Sequence, residues 1–265
     1  MTTSSITYPR VVSRAEWLKA RLALLAQEKE LTQARDRLNT ARRELPMVRI
    51  EADYRFDNLT GPVRLLDLFA GKQQLIVYHF MWMWENGQPL DEPCKGCSGF
   101  VDQLARGHLS TLRSRHTSLV LVSRAPLAKI NPFKRRMGWN VPWFSSAGTT
   151  FNADFGVSFD PAKGPLVYNY KTQAEHAQAG TSYYFEGQTE PFDLHGMSCF
   201  LRRGDEVYHT YSTYGRGMED VLGPVRLLDQ TALGRQEEWE EPKGRAGDLV
   251  TPPGPPPCYP DQYRE

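Results

Sequence analysis

Two cysteines separated by two residues, in Cys94-Lys95-Gly96-Cys97, are the residues of this chain whose types and spacing most directly imply chemistry. They follow an apolar run of strand length, Gln74-Leu75-Ile76-Val77-Tyr78-His79-Phe80-Met81, and a Gly/Pro-containing loop over 85–93. They precede a stretch from Ser98 to about Arg115 with Phe100, Val101, Leu104, Leu109 and Leu112 at helical spacings. A cysteine at a helix start meets free backbone N–H groups and the positive end of the helix dipole, which favour its thiolate. A thiolate is the attacking species in disulfide exchange, and a second cysteine one turn on can resolve the mixed disulfide. Cys94 is therefore the candidate nucleophile and Cys97 the candidate resolving thiol. Lys95 favours the thiolate, while Asp91 and Glu92 oppose it. The reaction needs no cofactor.

Close cysteine pairs also hold metals. A structural zinc site needs two further ligands, and the remaining cysteines, Cys199 and Cys258, form no second pair. Copper is the stronger alternative, because soft thiolates suit Cu(I). Its third ligand would come from His79, His195 or His209, with Met81 and Met83 close in sequence. A copper-handling protein is thus the second reading.

These cysteines need a sheet edge and a helix to hold them. Ser13 with Glu16 forms a capping box that opens a helix running to about Leu45, where Pro46 stops it. Trp17, Leu24, Leu31, Leu38 and Leu45 recur every seven residues along it, a narrow apolar stripe that suits packing on its own domain or a homodimer contact. A second buried strand is expected over Ser118 to Ser123. It is followed by a helical segment from Pro126, interrupted at Asn131-Pro132. Residues 160–195 show neither period and read as a long loop or insertion. A hairpin follows, 197–203 and 206–213, turning at Arg203-Gly204-Asp205. From about Glu237 the chain is polar and Pro-rich. The expected class is α/β, a thioredoxin-like mixed sheet flanked by helices, with a long N-terminal helix and a Pro-rich C-terminal tail. The expected divisions are a helical arm over 1–46, the main domain over 47–235 and the tail over 236–265.

Composition sets outer bounds. With 40% hydrophobic residues the 265-residue chain can build a core, and a formal net charge of +1 gives no basic surface for nucleic acid. No apolar stretch is long enough to span a bilayer, and the N-terminus has no secretory pattern, so a cytoplasmic location is expected. The partner expected from the dithiol is a protein or small-molecule thiol or disulfide. Arg124, at the end of the second strand, is a candidate for meeting an anionic substrate.

Several strings resemble a known family. They include Val12-Ser13-Arg14-Ala15-Glu16-Trp17, the strand Gln74 to Met81, Val122-Ser123-Arg124-Ala125-Pro126-Leu127-Ala128-Lys129-Ile130, Phe133-Lys134-Arg135-Arg136-Met137-Gly138-Trp139, Phe151-Asn152-Ala153-Asp154-Phe155-Gly156-Val157 and His209-Thr210-Tyr211-Ser212-Thr213-Tyr214. From Ser13 to about Arg235 the chain resembles DUF899, a family of predicted dithiol-disulfide oxidoreductases. The resemblance implies a thioredoxin-like fold with its dithiol at Cys94 and Cys97. Two family features of relatives are missing. Thioredoxins place a cis-proline before the strand facing the dithiol, where this chain reads Gly196-Met197-Ser198-Cys199-Phe200; peroxiredoxins carry Thr or Ser three residues before the reactive cysteine, where this chain has Asp91.

Overall fold

The computed structural model describes residues 6–237, 239–243 and 258–263. They fall into two units, 1–46 with 227–253 and 47–226 with 254–265. The first is built on helix α1, Arg14–Glu44. Its residues are mostly strong helix formers. The predicted capping box is present: Ser13 Oγ accepts from the Glu16 N–H at 3.3 Å, and the Glu16 carboxylate accepts from the Ser13 N–H at 3.0 Å. The helix ends at Leu45, before Pro46. It buries no residue, and Trp17, Leu24, Leu31 and Leu38 of the stripe are exposed.

The second unit is organised by an eight-stranded sheet. Its strands are β1 Val48–Arg49, β2 Arg55–Asn58, β3 Gly61–Arg64, β4 Gln74–His79, β7 Thr117–Ser123, β8 Trp143–Ser145, β13 Gly196–Arg203 and β14 Glu206–Tyr214. Their order across the sheet is β1-β14-β13-β4-β7-β8-β2-β3. β4, β7 and β8 run parallel, and β13 lies antiparallel to both β4 and β14. Parallel strands joined through helices, continued by an antiparallel hairpin, are the thioredoxin-like arrangement expected from the sequence. The hairpin does not end the sheet, however: short β1 pairs with β14 and forms the outer edge.

Strand alternation separates two cores. On β4, Leu75 and Val77 face one cluster with Val120, Val122 and Phe200, closed by the 3-10 turn Leu65–Phe69 and by helix α5, Phe151–Asp154. Tyr78 faces the other cluster with Leu121, Cys97, Phe100, Ile130 and Phe133. Each fully buried side chain of Leu or Phe size stabilises the fold by about 1.5–3 kcal/mol. Residues 157–195 carry a third cluster, including Phe159, Tyr168, Phe185 and Phe192. Here β9 Ser158–Phe159 pairs with β12 Phe192–Asp193, β10 Val167–Tyr168 pairs with β11 Lys171–Thr172, and helix α6 spans Gln173–Gln178. The stretch read as irregular thus has short ladders and its own apolar centre.

Three further expectations are corrected. The loop over 85–93 belongs to a hairpin, β5 Trp82–Glu85 and β6 Gln88–Pro93, turned by Asn86 at φ 50° and Gly87 at φ 68°. Positive φ at both central residues is the turn type that matches strand twist. The single helix over 98–115 is two, α2 Lys95–Asp102 and α3 Arg106–Ser114. Between them the Gln103 side chain binds the Val221 carbonyl at 3.1 Å and the Gly223 N–H at 2.6 Å. The helix after Pro126 is uninterrupted: α4, Leu127–Arg136, runs through Pro132, anchored by buried Ile130 and Phe133. Pro132 removes one intrahelical hydrogen bond, and burial of the apolar face outweighs that loss. The chain leaves the unit through α7, Gly223–Leu228. The expected tail over 236–265 lies largely outside the described residues, but Cys258–Tyr263 belongs to the second unit. Among the described residues no helix is long and apolar enough to cross a membrane.

Candidate active site

The site forms where β4 ends at the sheet's carboxyl edge. The hairpin β5–β6 carries the chain out and back, and the Cys94 N–H donates to the Met81 carbonyl at 3.3 Å. Pro93 is buried and fixes the entry. Cys94 is the N-cap of α2, with extended backbone at φ −66° and ψ 126°, and its Sγ accepts from the Cys97 N–H at 3.4 Å. Ser98 Oγ donates to the Cys94 carbonyl at 2.9 Å and locks the first turn. Cys97, one turn in, is only 2% exposed, while Cys94 is half-buried; neither forms a disulfide.

The two thiols are electrostatically unequal. A hydrogen bond from Cys97 brings the Cys94 thiol down to about 7, against the effect of burial, and the Cys97 and Gly96 N–H groups add to it. Burial pushes Cys97 well up, and the neighbouring Cys94 adds to that. The Tyr78 hydroxyl, on β4, donates to the Cys97 sulfur and opposes the rise. Tyr78 itself is held by stacking on Phe100, with ring centroids 4.1 Å apart. The predicted opposition from Asp91 and Glu92 is compensated: Asp91 pairs with Lys129, and Glu92 with Arg136 at 2.9 Å. Cys94 is therefore the readily ionised thiol and Cys97 the protonated one beside it.

The strand facing the dithiol begins at Gly196, which pairs with His79 and Tyr214. A Cβ at Gly196 would sit 2.5 Å from Tyr214 Cδ1, so packing of the Tyr214 ring leaves no room for a proline at that position. Met81, Trp84 and Met197 pack against the cluster that holds Cys97.

Two of the three histidines proposed as copper ligands, His79 and His209, lie on the face of the sheet opposite the cysteines. Alternation along β4 sends Tyr78 toward Cys97 and His79 to the opposite face, against Phe151 and Phe155. His79 Nε2 meets Ser198 Oγ at 2.8 Å, Ser198 meets Ser212 at 2.7 Å, and Ser212 meets His209 Nε2 at 2.8 Å, a polar chain across β4, β13 and β14. His195 immediately precedes β13, two residues before Met197, and its carbonyl accepts from the Tyr168 hydroxyl at 2.8 Å. Among the described residues no group of three His, Cys, Asp or Glu is placed to hold a metal ion.

Complete burial lowers the His79 imidazole from 6.5 to about 3, with His209 adding to the effect. Its folded form stays neutral while the unfolded form takes up a proton below 6.5. The stability this group supplies is present above pH 6.5 and is lost as pH falls toward 3. The loss between pH 7 and pH 4 amounts to about 3 kcal/mol. Urea unfolding of the wild type and His79→Gln at both pH values checks this. The wild type loses more stability than the variant by about that amount, and parallel losses would refute the assignment.

Arg124, proposed to meet an anion, is already engaged. Its Nε donates to Asp193 Oδ1 at 2.8 Å, and its guanidinium lies 3.8 Å from the centroid of the Trp84 ring. Asp193 also accepts from Trp84 Nε1 and Ser158 Oγ, both at 2.6 Å. Sequence reasoning missed Tyr78 and Tyr259. The position of Tyr78 on the strand leading to the cysteines was an available signal, but Tyr259, whose hydroxyl donates to the Pro93 carbonyl at 2.7 Å, follows a Pro-rich run with no local pattern.

In structure the chain is similar to a PrxQ cysteine-to-serine mutant from Xylella fastidiosa, at 12% identity and TM-score 0.41 over 69% of this chain and 94% of that one. It is also similar to the peroxidoxin BcpB from Mycobacterium tuberculosis, at 17% identity and TM-score 0.39 over 69% and 96%. A third is reduced Prx3 in complex with hydrogen peroxide from Vibrio vulnificus, at 14% identity and TM-score 0.36 over 64% and 83%. No curated protein matches the chain. The family model described as a bacterial protein of unknown function, DUF899, matches residues 6–249, a span that includes α1, the whole sheet and both cysteines of the dithiol. The chain belongs to the DUF899 family.

Proposed function

We propose that the protein is a thiol-disulfide oxidoreductase in which Cys94 attacks and Cys97 resolves. The observation that carries this reading is the inequality of the thiols: Cys94 at the α2 N-cap is lowered to about 7, and buried Cys97 is raised beside it. In the reducing direction the Cys94 thiolate attacks one sulfur of a substrate disulfide. A Cys94–substrate bond forms, the substrate S–S bond breaks, and the other sulfur leaves as a thiolate. Cys97 then gives up its proton to solvent or to that thiolate and attacks Cys94. The Cys94–Cys97 bond forms and the second substrate sulfur leaves. Two electrons pass from the dithiol to the substrate, and the reverse sequence oxidises a dithiol.

Tyr78 supports the second step, because its hydroxyl donates to the sulfur that must become anionic. Tyr78→Phe is expected to leave Cys94 alkylation unchanged and to slow resolution about tenfold, the value of one hydrogen bond to a charged group. Stopped-flow release of the second thiol measures this step; an unchanged rate would remove Tyr78 from the mechanism. The reading as a whole is tested by equilibrating the protein in glutathione buffers of graded potential. A single two-electron transition confined to Cys94 and Cys97 supports it, and a pair that stays reduced throughout sinks it.

A further inference from the structure

We infer that the segment Cys258–Tyr263 is a strap that shields the dithiol from large partners and must open before a protein disulfide can dock. The inference rests on the thiol-disulfide reading above. Tyr259 is 3% exposed and belongs to the core cluster that contains Cys97. Its hydroxyl donates to the carbonyl of Pro93, the residue immediately before the candidate nucleophile. Its ring lies 5.7 Å from the Lys95 ammonium and 5.1 Å from the Arg136 guanidinium, and edge-on to Phe133 at 5.3 Å. Arg136 is a clasp: Nε and Nη2 reach the two oxygens of Asp261 at 2.7 and 3.1 Å, and Nη1 reaches Glu92 at 2.9 Å. The strap is thus fastened to both residues that lead into Cys94, and to Lys95 that follows it.

The fastening suits release. Tyr259 is the one aromatic side chain the segment buries, and the 3-10 turn Pro260–Gln262 is braced from within, by the Tyr259 N–H to Gln262 Oε1 at 3.0 Å. Arg136 and Asp261 are each 33% exposed, so the ion pair is screened and adds little to stability. Opening therefore needs only one buried ring, Tyr259, to undock and an exposed ion pair to part, a local event smaller than global unfolding. Cys94 remains half-buried with the strap in place, so a small reagent reaches it. A macromolecular substrate instead needs the surface around Glu92–Lys95, where the strap already holds the Pro93 carbonyl and covers the Lys95 side chain. The segment acts as a size filter on the dithiol.

The test compares a small and a large thiol reagent in a full-length Cys199→Ser, Cys258→Ser background, where Cys94 is the accessible thiol. Iodoacetamide reports Cys94 ionisation; a polyethylene-glycol maleimide reports access. Ending the chain after Pro257, or Asp261→Arg, which sets two cations against each other, is expected to raise the maleimide rate about tenfold while changing the iodoacetamide rate less than about twofold. Unchanged maleimide rates in both variants would overturn the strap. A Cys94 that alkylates in every variant with an ordinary thiol pH profile would overturn the oxidoreductase reading and leave the strap standing on the maleimide data.

Discussion

Cys94→Ser is expected to reduce disulfide exchange to the uncatalysed background, whereas Cys97→Ser is expected to retain the first step and stop at a mixed disulfide. The asymmetry follows from where the two sulfurs sit. At pH 7 a thiol lowered to about 7 is half thiolate, whereas an ordinary cysteine near 8.5 is about 3% thiolate, a gain of roughly 15-fold in attacking species. Serine at position 94 keeps the N-cap hydrogen bond but has no accessible anion at this pH. Cys97 is buried and raised, so it cannot take over the attack from solvent. The iodoacetamide rate of the wild type should rise with pH to a midpoint at about 7. A midpoint at the ordinary thiol value, or exchange that survives Cys94→Ser, would show that the reactive sulfur lies elsewhere.

Asp193→Ala is expected to cost about 3 kcal/mol of stability and lower Tm by roughly 6–12 °C. The Asp193 side chain is 2% exposed and accepts from Arg124, Trp84 and Ser158, whose side chains come from three different segments. Burial pushes its carboxyl up, while the Arg124 guanidinium and the two neutral donors pull it down. Truncation leaves the Arg124 charge, which is 25% exposed, without its partner, and this places the loss at the lower end of the range for buried pairs. Asp193→Asn keeps acceptor capacity and should cost about 1–2 kcal/mol. The effect extends to the site, because Trp84 sits on the hairpin that returns the chain to Cys94. Thermal unfolding of both variants checks the order Ala worse than Asn; equal and small losses would mean that the cluster is not a structural tie.

Much of this architecture is legible in the residues. Ser13 and Glu16 announce the start of α1, the apolar runs announce β4 and β7, and Arg203-Gly204-Asp205 announces the β13–β14 turn. Cys94-Lys95-Gly96-Cys97 after a buried strand places the candidate nucleophile at a helix start, where the structure has it. The rest depends on information that is not local. Asn86-Gly87 is a hairpin signal, but β6 reads Gln-Pro-Leu-Asp-Glu-Pro and lacks the alternation that would make it a strand. The apolar spacing runs on through Gln103, so only the contacts of its side chain with Val221 and Gly223 reveal the break between α2 and α3. Pro132 suggests an interruption that burial of Ile130 and Phe133 overrides. Alternation says that Tyr78 and His79 face opposite ways, but not which of them faces the cysteines; that depends on the side of the sheet α2 packs against. The packing puts His79, and the Ser198–Ser212–His209 chain it joins, on the face opposite the cysteines.

The most direct test is to mix reduced Cys97→Ser with oxidised glutathione and map the adduct by peptide mass. One glutathionyl group on the peptide containing Cys94, stable until a thiol reductant is added, is the result predicted here. Modification confined to Cys199 or Cys258, with Cys94 unmodified, would contradict the assignment of Cys94 as the attacking thiol.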